Sequence, residues 1–63
     1  MKKYKGNEIM YSRDNDNIIV VYSQFDMGSK YKIYVKRNEQ YKYTYAENSM
    51  TKAIEYANKI YMK

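Results

Sequence analysis

Sixty-three residues with neither cysteine nor histidine exclude a disulfide-stapled fold and leave only carboxylates from which to build a zinc site. A chain this short buries only ~60% of its unfolded surface, so it is one domain drawing its core from ten tyrosines and its aliphatics, or it self-associates. Twelve Lys+Arg against seven Asp+Glu leave a formal charge of +5, which favours anionic partners over cationic ones.

The opening MKKYKGNEIM is basic with no apolar run behind it, so residues 1–6 read as a mobile basic arm rather than a signal peptide. The longest apolar run, Ile18–Tyr22, has five residues against the ~20 a membrane helix needs, and a cytoplasmic protein is expected. Glu8–Arg13 and Ile18–Phe25 read as strands. Between them, Asp14-Asn15-Asp16-Asn17 is a run of side chains that bond their own backbone in turns. A two-residue loop at Asn15-Asp16 and a four-residue loop at 14–17 give one register, with Tyr11 opposite Val20 and Ile9 opposite Tyr22. Ile9, Tyr11, Ile18, Val20 and Tyr22 are the expected core face, because the rival face holds Glu8 and two serines. The same turn looks like the start of a calcium loop, but Ile18 takes the next ligand position and no glycine follows, so no metal is expected there.

Asp26–Ser29 is the next expected turn, with Gly28 free to take positive φ. Residues 30–45, KYKIYVKRNEQYKYTY, then carry five of the ten tyrosines and four of the lysines. Their alternation puts Tyr31, Ile33, Val35, Tyr41, Tyr43 and Tyr45 on one side. Lys30, Lys32, Tyr34, Lys36, Lys42 and Thr44 lie on the other. Cross-strand partners share a face, so odd positions must pair with odd ones, which calls for a three-residue turn at 38–40 or 37–39. Beyond it, Asn48 or Ser49 caps a helix in which Met50, Ala53, Ile54, Ala57, Ile60 and Tyr61 recur at helical spacing.

The assembled expectation is an α+β fold, ββββα: a four-stranded antiparallel sheet of two hairpins with the C-terminal helix packed on one face and the other face solvated. In element order and size this resembles the ββββα single-strand-binding domains of transcriptional coactivators. No residue carries over from that likeness.

Enzymatic chemistry is not expected. The serines have no activating partner, no glycine-rich phosphate loop exists, and no cofactor is implied. Binding fits better. Lys30, Lys32, Lys36 and Lys42 around Tyr34, with Arg13 and Arg37 near the hairpin tips, combine phosphate-neutralising cations with an aromatic ring, the ingredients of a single-stranded DNA or RNA site. Tyrosines equally suit a protein interface, and an edge such as residues 8–13 or 30–37 could pair with a partner's strand or a second copy. The Lys, Asn, Ile and Tyr bias and the small size resemble accessory proteins of bacteriophages and other mobile elements. The leading expectation is thus a non-enzymatic inhibitor of anti-defence, anti-CRISPR-like type, acting on a host protein or nucleoprotein complex. A single-stranded nucleic-acid-binding module and a small oligomeric structural protein are the alternatives.

Overall fold

The structure, a computed structural model, describes residues 2–24, 28 and 30–60. Each strand-like run of the sequence becomes a strand, and a fifth joins them. The order along the chain is β1 (Lys3–Tyr4), β2 (Asn7–Arg13), β3 (Ile18–Tyr22), β4 (Tyr31–Arg37), β5 (Gln40–Glu47) and α1 (Met50–Lys59). The strands pair antiparallel in sequence order, β1-β2-β3-β4-β5. The α+β class is as expected. The added strand comes from the segment expected to be an arm: Lys5 (φ 51°) and Gly6 (φ 83°) turn the chain so that Tyr4 pairs with Asn7 and Lys3 with Glu8. Positive φ at both turn positions is the mirror-image turn whose twist matches the flanking strands. With β1 at one edge and β5 at the other, the segments expected as available edges, residues 30–37 and 8–13, supply the internal strands β4 and β2, the latter covered by β1 at Asn7 and Glu8.

The first hairpin adopts the four-residue loop. Arg13 pairs with Ile18, while Asp14, Asn15 and Asp16 take φ of 54°, 56° and 65° and Asn17 N–H donates to the Asp14 carbonyl at 3.1 Å. Asp and Asn tolerate this left-handed region better than other residues with a Cβ. Tyr11 pairs with Val20 as expected. Ile9 does not pair with Tyr22: a bulge at Met10 shifts the register, so Ile9 faces Val21 and moves to the side opposite the helix.

The second hairpin departs from expectation in the same manner. Its turn is two residues, Asn38 (φ 51°) and Glu39 (φ 66°), with Arg37 opposite Gln40. Odd positions therefore pair with even ones near the tip: Lys36 with Tyr41 and Val35 with Lys42. A bulge at Thr44 then restores odd-odd pairing, Ile33 with Tyr45. A bulge sets two residues against one and so reverses parity along the strand. Tyr41 and Tyr43 leave the expected core face, and Lys42 leaves the expected lysine face and joins it.

On the helix side, Ile18, Val20, Ile33, Val35, Ala53 and Ala57 form the core, with Tyr11, Tyr31, Tyr56 and Ile60 packed around it. Ala53 and Ala57 are fully buried, which is how the helix lies close on the sheet. Ser49 caps its N-terminus, accepting from Lys52 N–H at 3.5 Å. Arg13 and the Ile60 N–H both donate to the Ala57 carbonyl at its other end, at 3.1 and 3.4 Å. Tyr45 stacks on Tyr56 with ring centroids 4.6 Å apart, and the Tyr11 hydroxyl donates to Asn58 at 2.7 Å. Tyr61, expected on the helix, and most of the 26–29 turn lie outside the described residues; Gly28 has φ 101°.

The opposite face is not a solvated surface. Ile19 and Val21, which point to it, are 0% and 1% exposed. The reason is curvature. The Tyr4 ring on β1 lies 4.9 Å from Tyr34 on β4 and 5.0 Å from Tyr41 on β5. In a flat sheet, strands ~4.8 Å apart would hold β1 and β5 about 19 Å from each other. The sheet is therefore curled around this side, and three tyrosines close over Ile19 and Val21. Bulges such as those at Met10 and Thr44 bend and twist a strand in the way such a curl requires.

Candidate binding face

The concave side of the curl gathers four tyrosines and a set of lysines into one place. Tyr4, Tyr34 and Tyr41 form its floor. Tyr43, opposite Tyr34 on β5, leans edge-on against it with centroids 6.1 Å apart and planes at 68°. Tyr43 is 60% exposed, against half-buried Tyr4, Tyr34 and Tyr41. The floor rings are engaged in the fold, and Tyr43 has an open flank.

Cations surround this floor. Lys36 Nζ sits 5.4 Å from the Tyr41 ring centroid, and Lys5 Nζ the same distance from Tyr4, both within range for attraction to the ring quadrupole. Lys32 shares the face through its pairing with Val21. Lys30, just before β4, continues the same alternation and is half-buried. At the tip end, Lys2 Nζ donates to Asp16 Oδ2, and the Tyr41 hydroxyl donates to the Asp16 backbone carbonyl. Among the described residues, Asp16 is the acid of this rim. Glu8 and Glu47 face the helix side by their pairing with Tyr22 and Tyr31, Glu55 lies on the helix, and Asp14 and Glu39 sit in turns.

The electrostatics of the rim follow from that one acid. The Lys2 hydrogen bond, then one from Ser12, then the fields of Lys2 and Lys36, hold the Asp16 carboxyl below its usual range. The same hydrogen bond and charge hold the Lys2 ammonium above its usual value. Both groups are in solvent, so the pair tunes local charge more than it stabilises the fold.

The seven expected site residues do not all meet. Lys30, Lys32, Tyr34 and Lys36 belong to the concave side. Lys42 points to the helix face, as its pairing with Val35 requires. Arg37 is exposed beside the Asn38-Glu39 turn. Arg13 is half-buried and held by the Ala57 carbonyl and by Asp14, 3.4 Å away, so its guanidinium closes the helix end. The sequence reading missed Tyr4, Tyr41 and Tyr43 as members of this face. The Lys5-Gly6 turn signal pointed to the first, and Asn38, a favoured residue for a two-residue hairpin turn, to the other two. Among the described residues no helix is long and apolar enough to cross a membrane. No family model, curated protein or solved structure matches this chain.

Proposed function

We propose that this chain is a non-enzymatic binding module of the host cytoplasm that grips nucleic acid, free or carried by a nucleoprotein machine, through the concave side of its sheet. The observation that carries this reading is the composition of the rim: Lys2, Lys5, Lys30, Lys32 and Lys36 stand around the half-buried tyrosine floor and the exposed Tyr43, with Asp16 as the acid among them within the described residues. Cations positioned for phosphates and rings positioned for bases are the two components of such affinity. An inhibitor of mobile-element origin is one use of the module, with the target's bound nucleic acid as the point of contact.

The test is fluorescence anisotropy with labelled single-stranded DNA, RNA and duplex DNA, titrated from low to physiological salt. Affinity is expected to fall steeply with salt, and Lys5→Gln and Lys36→Gln each to flatten the logarithmic slope by about 0.7 for a single strand. Asp16→Asn acts in the opposite sense, raising affinity at low salt, because it releases Lys2 and removes the rim's acid. Flat traces at micromolar protein and low salt for all three probes overturn the reading.

A further inference from the structure

We infer that Tyr43 is a stacking platform for one unpaired base, and that the concave face therefore takes single strands in preference to duplex. This rests on the nucleic-acid reading above and specifies its ligand. Four observations converge on Tyr43. Among the described residues it is the most exposed of the large apolar side chains, at 60%, whereas Met10, Met50 and Tyr45 are at 38%, 39% and 44%. Tyr45 has its ring stacked on Tyr56, and the floor tyrosines pack on one another, so the fold uses their faces already. The two-residue Asn38-Glu39 turn sets Tyr43 on the basic side, and the Thr44 bulge separates it from Tyr45, which returns to the helix side. Finally, Tyr34 braces it edge-on, which limits the rotamer freedom a stacked ring would otherwise lose.

Charge complementarity selects the occupant. Lys36, whose cross-strand partner is Tyr41, stands one pair along from Tyr34–Tyr43, at the ~7–8 Å diagonal spacing that long side chains span. A base laid on the open flank of Tyr43 thus has a phosphate-binding ammonium beside it. The bases of a duplex are stacked on each other and present edges rather than faces to a protein, so only an unpaired base satisfies both groups.

The experiment compares a fluorescein-labelled twelve-nucleotide oligo(dT) with a twelve-base-pair duplex at one salt concentration. Wild type is expected to favour the single strand. Tyr43→Leu is expected to weaken oligo(dT) binding roughly 10-fold, within the range that loss of one base–aromatic stack produces, while duplex affinity falls far less and the thermal midpoint drops only by the loss of the Tyr34 ring contact. Tyr43→Trp keeps or raises affinity. As the chain has no tryptophan of its own, the indole it introduces reports directly, and its fluorescence should be quenched on adding oligo(dT). Equal affinity for the two probes, or oligo(dT) binding unmoved by Tyr43→Leu with no quenching in Tyr43→Trp, overturns the Tyr43 assignment and leaves the nucleic-acid reading standing. Absence of binding to either probe by wild type overturns both.

Discussion

Among the described residues eight take positive φ, and six of these are not glycine. Glu39, at φ 66° in the second position of the Asn38-Glu39 turn, is the least suited of them, since the mirror-image turn favours Asn followed by Gly. Glu39→Gly should therefore stabilise the protein by about 1 kcal/mol, the order of the left-handed penalty it removes, read as a higher urea midpoint at unchanged m. Asp16 yields a prediction in pH. Its carboxyl is lowered in the folded state, so its contribution is present above the ordinary carboxylate value of ~4 and is lost as pH falls through the folded value. Lys2 mirrors it, contributing below ~10.4 and losing that contribution as pH rises beyond. Thermal melts between pH 6 and pH 3 should show a larger drop for wild type than for Asp16→Asn, with the other carboxylates cancelling in the comparison.

Four of the five strands, the helix and the faces of β3 and β4 were legible from periodicity, but β1 and the faces of β2 and β5 on one side of each bulge were not. The helix could be read because its apolar spacing and Ser49 cap are local signals; α1 occupies Met50–Lys59, and Ile60, expected as its next apolar position, is instead its extended C-cap. Strand faces depend on parity, and one extra residue inverts parity from that point onward. Met10 and Thr44 are such residues, and nothing in the chemistry of either announces a bulge. This locates where length changes should be tolerated. Deleting Thr44 leaves Tyr43 opposite Tyr34 and Tyr45 opposite Ile33 in a regular ladder, so that variant should fold with a lower melting temperature. Deleting Lys42 also gives a regular ladder, but it sets Tyr43 opposite Val35 on the helix side and Thr44 opposite Tyr34, so the Tyr34–Tyr43 contact is lost and the melting temperature should fall further. Circular dichroism with thermal melts separates the two outcomes. Strand β1 gives a further case. Tyr4→Ala removes a half-buried ring touching Tyr34 and Tyr41 and should cost about 1–3 kcal/mol in urea unfolding, although Tyr4 lies outside the helix-side core.

At the scale of the whole molecule, the curl lets so short a chain be two-sided. A flat sheet with one helix would leave Ile19 and Val21 against water. Here each side has its own packed cluster, aliphatics and alanines beneath the helix and tyrosines over β3 on the other. The basic rim belongs to the second cluster, so its geometry is tied to the closure of β1 toward β5.

Strand β3 shows what this arrangement means for the freedom of the chain to vary. A strand in a one-sided sheet has a two-residue rhythm of constraint, with every second position open to polar exchange. Ile18, Ile19, Val20 and Val21 are each no more than 1% exposed, so in a saturation mutagenesis survey this block should lose that rhythm. All four positions should reject Ser, Asn and Lys alike, while accepting exchange among Ile, Val and Leu. The survey would read as an unbroken run of intolerance over residues 18–21, between strands permissive at alternate positions.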